Sequence, residues 1–289
     1  MPFWKNYHVA IDVADALRVL AAASGEVRVV AGGTDLLLDL QQGRHTPVES
    51  LVDVTRVPEM RLLEVRQDQL FIGAGVPLNQ VVASPLVVKH AEALFEAASL
   101  IGGPQVRNTA TLGGNVAHAL PAADGTIALL ALDAQAEIAS PAGRRQVPMQ
   151  QLFAGPGRST LDPRAEVLVG FHLPIHQPGQ ASAFRRVMRP QGVAIAILNL
   201  AVWVMRAENR IADIRISIGP AGPVPQRARL AESILKGGQM DASTLQRGVE
   251  ALLAEAHFRT SPHRATAEYR RQMAAVLLED TLSTAWSRA

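Results

Sequence analysis

An α+β fold in two unequal parts is what this 289-residue sequence predicts, and three observations predict it. Helical and strand-like segments alternate with glycine loops up to about residue 174. The stretch "IHQPGQ" at 175–180 then has the composition of a linker. Beyond it three strand-like runs come in succession and helices follow them, the order that marks a separate α+β unit. On this basis the sequence divides into residues 1–176, in two portions of about 1–54 and 55–176, and residues 177–289.

Residues 12–23 place Val13, Ala16, Leu17 and Leu20 at helical spacing. The β-branched run "VRVV" at 27–30 reads as a strand, and "DLLLDLQQ" at 35–42 as a short helix opened by Thr34 or Asp35. A further strand is expected at 50–54, "SLVDV", and a hairpin over "LLEVRQDQLFIGAG" that turns near Gln67-Asp68. One helix is predicted from about Pro85 to Leu100, and it leads into "IGGPQVRNTATLGGN". More helix and strand segments reach "EVLVGFHLP" at 166–174. In the second part "ASAFRRVM", "VAIAILNLAVWVMR" and "RIADIRISIGPAG" read as three strands, the middle one buried. Helices are expected at about 225–236, 241–256 and 264–286, with Gly237-Gly238 and Ser261-Pro262 as breaks.

Composition limits the function. The length corresponds to about two domains, and a chain of this size buries roughly three quarters of the surface its unfolded form exposes. Hydrophobic residues at 48% and charged residues at 19% describe an ordinary globular chain. With no cysteine, the chain holds no disulfide, thiolate zinc site or cysteine-ligated iron–sulfur cluster, which suits a reducing cytoplasm. A net charge of only +2 disfavours nucleic acid as a partner, because phosphate neutralisation needs clustered lysine and arginine. The first 25 residues interrupt any apolar stretch with Asp12, Asp15 and Arg18, unlike a secretory signal, and a cytoplasmic location is expected. The greasiest run, at 193–205, is shorter than the ~18 residues of a membrane span.

Two double-glycine loops carry the chemistry: "VVAGGTDLLL" at 29–38 and "RNTATLGGNVAHALPAAD" at 107–124. The first joins a predicted strand directly to a predicted helix. There the missing side chains let an anion approach main-chain amides, and free N–H groups at the helix start carry partial positive charge. Neither loop is a Rossmann fingerprint, for which "IGAGVPL" lacks the third glycine, and no lysine follows either pair as a nucleoside-triphosphate loop requires. In the second loop Thr111 and Asn115 can donate to phosphate oxygens, whereas ionised Asp124 only accepts, which suits ribose or ribityl hydroxyls. Gly113 is expected to leave the space that a pyrophosphate occupies. Taken singly these features have plainer readings. A lone Gly-Gly is more often a turn, and Asn115 fits a cap or a turn. Asp124 fits the N-cap of a helix at 125–132, which the residues alone favour over a binding role. His118 has no second ligand at metal spacing, and the arginine pairs at 144–145, 185–186 and 270–271 read as solvated faces.

The segments "AGGTDLL" at 31–37, "GGPQVRNTATLGGNVAHALPAAD" at 102–124, "AEVLVGFHLP" at 165–174 and "ATAEYRRQM" at 265–273, in that order, resemble the FAD-binding medium subunits of the molybdenum hydroxylases. Xanthine dehydrogenase and aerobic carbon monoxide dehydrogenase are of this type. The resemblance covers nearly the whole chain. It implies a two-part FAD-binding region of the vanillyl-alcohol-oxidase (PCMH) type, followed by a smaller α+β domain with a three-stranded sheet and helices. Carried over by position, the backbone of Val29, Val30, Ala31, Gly32, Gly33, Thr34, Asp35 and Leu36 would wrap the FAD pyrophosphate. Ala110, Thr111, Gly113, Gly114 and Asn115 would close on it from the other side, and Asp124 would hold cofactor hydroxyls. Ile101 would lie against the isoalloxazine, Leu168 would line it, and Arg185 would bring a basic group to the ring.

The resemblance also implies a division of labour. A molybdopterin-binding large subunit hydroxylates the substrate and a [2Fe-2S] small subunit relays electrons, in a dimer of heterotrimers. This chain's FAD would discharge to NAD, quinone or oxygen, so no catalytic side chain and no metal is expected here. One departure stands out: many relatives carry an acidic residue in the segment that here reads "RPQGVAIA" at 189–196, which bears on flavin potential and acceptor choice. A free-standing FAD oxidase or reductase of the same fold would need an acid or base beside the flavin, and the sequence offers no obvious pair. An assembly protein that had lost FAD would be expected to have damaged glycine loops, and both are intact.

Overall fold

A parallel three-stranded sheet comes first in the computed structural model, which describes residues 3–189 and 194–289. Its elements are β1 (Trp4–Val9), α1 (Val13–Ala22), β2 (Val27–Val30), α2 (Leu36–Gln41) and β3 (Val48–Asp53), in the strand order β1-β3-β2. Helix α1 begins where expected because the Asp12 side chain accepts from the Asp15 amide at 2.7 Å, and it buries Val13, Ala16 and Leu20. Parallel neighbours need a crossover, and here α2 provides it between β2 and β3. The first glycine loop therefore sits at the C-terminal end of β2, immediately before a helix.

The next portion contains β4 (Leu63–Arg66), β5 (Gln69–Gly73), α3 (Leu78–Ala83), α4 (Pro85–His90), α5 (Glu92–Leu100), α6 (Pro104–Arg107), α7 (Leu112–Ala117) and α8 (Asp124–Ala131). Then come β6 (Gln135–Ser140), β7 (Gly143–Pro148), the short pair β8 (Phe153–Gly155) and β9 (Arg158–Ser159), and β10 (Val167–Pro174). Five of these strands form an antiparallel sheet in the order β4-β5-β10-β6-β7. The hairpin turns at Gln67, whose φ is 54°, as its sequence suggested. The single helix expected from Pro85 to Leu100 is instead two. Ala91, at φ −148° and ψ 54°, breaks it, and the break turns the start of α5 so that the Ala93 amide donates to Ser182 Oγ at 3.0 Å. Helix α8 is buried along its whole length and, apart from Asp124 and Thr126, is correspondingly without polar side chains.

The last portion is a sheet in the order β11-β12-β13-β14, from β11 (Gln180–Val187), β12 (Leu198–Ala207), β13 (Arg210–Gly219) and the two-residue β14 (Gln226–Arg227). Its three long antiparallel strands match the three runs expected, although the middle one begins only at Leu198. Helices α9 (Arg229–Leu235), α10 (Ala242–Glu255) and α11 (Ala267–Arg288) follow. The other face of the sheet meets α5 and α8: the Phe184 amide donates to Glu96 Oε2 at 2.7 Å and the Ser217 hydroxyl to the Ile127 carbonyl. Each side has its own apolar core, one running from Ala10 to Ala201 and the other from Ala183 to Ala285.

The arginine pairs correct a sequence expectation. Arg144 binds Glu59 and Glu137, and Arg145 binds Glu166, so both serve as ion-pair partners on the surface. Arg186 and Arg270, by contrast, are buried. Adjacent strand residues point to opposite faces, so one member of a strand pair goes inward by geometry alone. No described helix is long and apolar enough to cross a membrane.

Candidate functional site

The first glycine loop leaves its amides unspent. Among the described residues, the N–H groups of Ala31, Gly32, Gly33, Thr34, Asp35 and Leu36 donate to no backbone or side-chain acceptor. No side chain caps α2, and Asp35 at its N-cap position makes no cap bond. Gly33 has φ +67°, a left-handed conformation that glycine adopts without strain. Val29 and Val30 lie in β2 beneath the loop, paired with Val52 and Asp53. Six consecutive unused donors at a strand-to-helix junction suit an anion.

The second loop spends most of its amides internally. Thr111 caps α7 by accepting from the Gly114 amide at 3.0 Å, the Gly113 amide donates to Ala74 at 2.9 Å, and Asn115 donates to Thr111. Left over are the Thr111 hydroxyl proton and the Asn115 carboxamide, whose Oδ1 is buried without a partner. Gly114 is exposed, and a Cβ there would meet only Thr111 Oγ1, at 3.2 Å. Gly113 is a different case and corrects the sequence reading: a Cβ on it would lie 2.6 Å from the Ala74 carbonyl oxygen. Ala74, just after β5, fills the space on that side of Gly113.

The two loops touch. A Cβ on Gly32 would lie 2.1 Å from the Thr109 carbonyl oxygen and 2.8 Å from the Ala110 Cα, so main chain packs on main chain there. From this contact a row of backbone bonds runs from Gly113 to Ala74 and from Ala74 to Val169 (2.8 Å), beside Leu168 at the β10 bulge. Ile101 ends α5 on the segment leading into loop two, and Arg107 Nη1 donates to its carbonyl at 3.2 Å.

Asp124 is not the N-cap of its helix. Ala123 holds that position and Asp124 is the first helical residue, 5% exposed. Its Oδ2 accepts from Arg186 Nη1 and its Oδ1 from Asn199 Nδ2 at 2.6 Å; Asn199 also donates to the Ala122 carbonyl at 3.1 Å. Burial pushes the Asp124 carboxyl above its ordinary value, against the pull of Arg186 and Asn199. Asn115 adjoins this junction, since a Cβ on Gly125 would lie 2.7 Å from its Oδ1. Loop two therefore leans on a buried ion pair made across the seam between the two cores.

Arg185 is placed elsewhere. Its guanidinium lies 3.3 Å from both Glu96 and Asp280, and the arginine that reaches Asp124 is its neighbour Arg186. Sequence reasoning missed Arg186 and Asn199. Strand alternation could have separated Arg186 from Arg185, whereas nothing local tied either to Asp124. Of the segment 189–196, where the acidic residue is missing, residues 190–193 lie outside the described residues. His118 is half-buried, and no cluster of three metal-ligating side chains occurs among the described residues. A cavity of about 220 Å³ lined by His90, His176, Trp203 and Arg215 shares no residue with the two loops.

Comparison with known proteins follows the same outline. Residues 3–176 match the family model described as "FAD binding domain in molybdopterin dehydrogenase", and residues 182–285 match "CO dehydrogenase flavoprotein C-terminal domain". The chain is 32% identical to a xanthine dehydrogenase FAD-binding subunit of Escherichia coli O157:H7 over 99% of this chain and 97% of that one. It is 30% identical to the carbon monoxide dehydrogenase medium chain of Hydrogenophaga pseudoflava over 98% and 97%. A solved carbon monoxide dehydrogenase from the same organism superposes with TM-score 0.94 at 30% identity, covering 100% of this chain and 99% of that one. Quinoline 2-oxidoreductase from Pseudomonas putida 86 does so with TM-score 0.90 at 27% identity, covering 98% and 97%.

Proposed function

The chain belongs to the FAD-binding medium subunits of the molybdenum hydroxylases, and from that membership we propose that it is the discharge end of an electron relay. The two glycine loops would hold FAD, with a [2Fe-2S] subunit as electron donor and NAD, quinone or oxygen as acceptor. The observation that carries this reading is the run of six unspent amides at Ala31–Leu36, facing the turn that begins at Ala110. A diphosphate satisfies such donors without any lysine.

Bound FAD would supply the chemistry, the exchange of one or two electrons. The chain's residues bind and orient it. The amides of 31–36 hold the diphosphate, with Val29 and Val30 as the rigid strand beneath. Thr111 donates its free hydroxyl proton, the exposed Gly114 admits the ligand, and the unpartnered Asn115 carboxamide completes the grip. Asp124 retains acceptor capacity beyond its two bonds and takes cofactor hydroxyls. Ile101 and Leu168 line the ring. For the basic group near it Arg186 suits better than Arg185, whose guanidinium Glu96 and Asp280 hold.

We place the domain division at 176/177, between the segments matched by the two family models, 3–176 and 182–285. A molybdopterin-binding large subunit and a [2Fe-2S] small subunit, as a dimer of heterotrimers in the cytoplasm, complete the assembly we infer. Co-purification from the native host tests the relay. Partners carrying molybdenum and iron with FAD support it, and a yellow protein that turns over substrate alone, without metals, refutes it. Asn115→Ala is expected to weaken FAD binding by about 1.5–3 kcal/mol, the worth of a hydrogen bond to a charged group. Unchanged affinity by calorimetry removes Asn115 from the site.

A further inference from the structure

The C-terminal sheet holds the turn that precedes α8 at several points. Asn199, near the start of β12, is fully buried, and its Nδ2 donates to the Ala122 carbonyl at 3.1 Å and to Asp124 Oδ1 at 2.6 Å. Its pairing partner on β13, Gly219, packs against the same turn: a Cβ there would stand 2.1 Å from the Pro121 carbonyl oxygen. From β11, Arg186 closes the ion pair on Asp124 Oδ2. Loop two reaches the same helix start, with Asn115 Oδ1 2.7 Å from the place of a Gly125 Cβ. The Asn199 carboxamide oxygen is buried without a partner. An unpaired buried acceptor costs free energy, so a carboxamide is a poor filler of core space, and what sets it apart from leucine is the pair of bonds to Ala122 and Asp124.

On the reading that Asp124 takes cofactor hydroxyls, we propose that Asn199 is a positioning residue: from the C-terminal sheet it fixes the Asp124 carboxylate and the turn before it in the arrangement that FAD meets. An ionised carboxylate has about four acceptor sites. Asn199 and Arg186 take one on each oxygen, which leaves the others in set directions. Without Asn199 the Oδ1 side is free to turn, and the Ala122 carbonyl loses its donor. Among the described residues Arg186 is the one charged group within ion-pair reach of Asp124; α7, α8 and β12 bring no second. Burial pushes the carboxyl up, and Arg186 and then Asn199 pull it back towards the ionised form. The coupling runs both ways: a docked sheet that prepares the site is itself stabilised by the bound cofactor to the same extent.

Asn199→Leu keeps the branched shape and removes both bonds. Ser217→Ala is its control, because the Ser217 hydroxyl also ties the C-terminal sheet to α8, at the Ile127 carbonyl, without touching Asp124. FAD affinity by calorimetry, read across pH 5–8 beside the urea midpoint, is expected to fall at least about tenfold in Asn199→Leu, the scale of a lost bond to a charged group. Deprived of Asn199, Asp124 gains its proton at a higher pH, so the loss of FAD on acidification should set in earlier than in the unaltered chain. Ser217→Ala should lower the urea midpoint yet keep FAD affinity within about twofold, since it shares no partner with the site. Unchanged FAD affinity and an unchanged pH profile in Asn199→Leu overturn the proposal, as does an equal loss of affinity in Ser217→Ala, the mark of a purely structural seam. Should Asn199→Leu fail to fold, hydrogen exchange of the unaltered chain decides: FAD should slow the amides of β12 and β13, and unchanged exchange overturns the proposal. An unaltered chain that binds no FAD refutes the flavin site itself, whereas FAD held equally with and without Asn199 refutes only the positioning role.

Discussion

Gly32→Ala is expected to destabilise the chain by about 3 kcal/mol and to abolish its capacity for FAD. The added methyl would stand 2.1 Å from the Thr109 carbonyl oxygen, 2.7 Å from the carbonyl carbon and 2.8 Å from the Ala110 Cα. No side chain can rotate away, because both neighbours are main chain. Overpacking in a tight core costs typically 1–3 kcal/mol, and a backbone obstacle places this case at the upper end. Relief requires the loops to part, which also spoils the amide geometry at 31–36. Gly114→Ala is the control: its Cβ meets only Thr111 Oγ1 at 3.2 Å, so stability should hold while FAD affinity falls. Denaturant midpoints and flavin content of both variants check this. A Gly32→Ala chain of normal stability with full FAD contradicts the packing described.

Arg186→Gln should have an effect of about 3–5 kcal/mol at neutral pH, the range for removing one partner of a buried ion pair. Asp124 and Arg186 side chains are 6% and 5% exposed, so the carboxylate left behind cannot recover its solvation in water. Burial already pushes the Asp124 carboxyl up, and removing Arg186 deletes the strongest opposing pull. The sign of the pH dependence follows. A carboxyl whose folded pKa lies above its unfolded value stabilises the fold when protonated, below the unfolded value, and that contribution fades as pH rises through the folded pKa. The variant should therefore lose stability from acid towards neutral pH more steeply than the unaltered chain. Adding Asp124→Leu to an Arg186→Met chain should restore most of the stability, since a matched apolar pair carries no buried charge. Urea midpoints across pH 4–8 decide it; a flat profile in Arg186→Gln rules out an ionised, paired Asp124.

The glycine loops were legible because their signals are local: "VVAGGTDLLL" shows a strand end, a pair of missing side chains and a helix start within ten residues. The three-strand sheet was legible for the same reason. What a glycine does not say is who occupies the space its side chain vacates. Gly113 and Gly114 are neighbours in sequence, yet Gly113 makes room for Ala74 and Gly114 opens outward. The break at Ala91 carries no glycine or proline, and beyond it the Ala93 amide bonds to Ser182, 89 positions away. The Asp124–Arg186–Asn199 junction joins residues 62 and 75 positions apart, and only the docking of one core on the other brings them together.

Amide hydrogen exchange at Ala31–Leu36, with and without FAD, bears most directly on the claim that bare peptide grips the cofactor's diphosphate. Without FAD these six groups have no described acceptor and should exchange at nearly the rate of open chain. With FAD bound they should be strongly protected while the α1 amides stay unchanged. Equal exchange at 31–36 in both states, in a chain saturated with FAD, would place the diphosphate elsewhere.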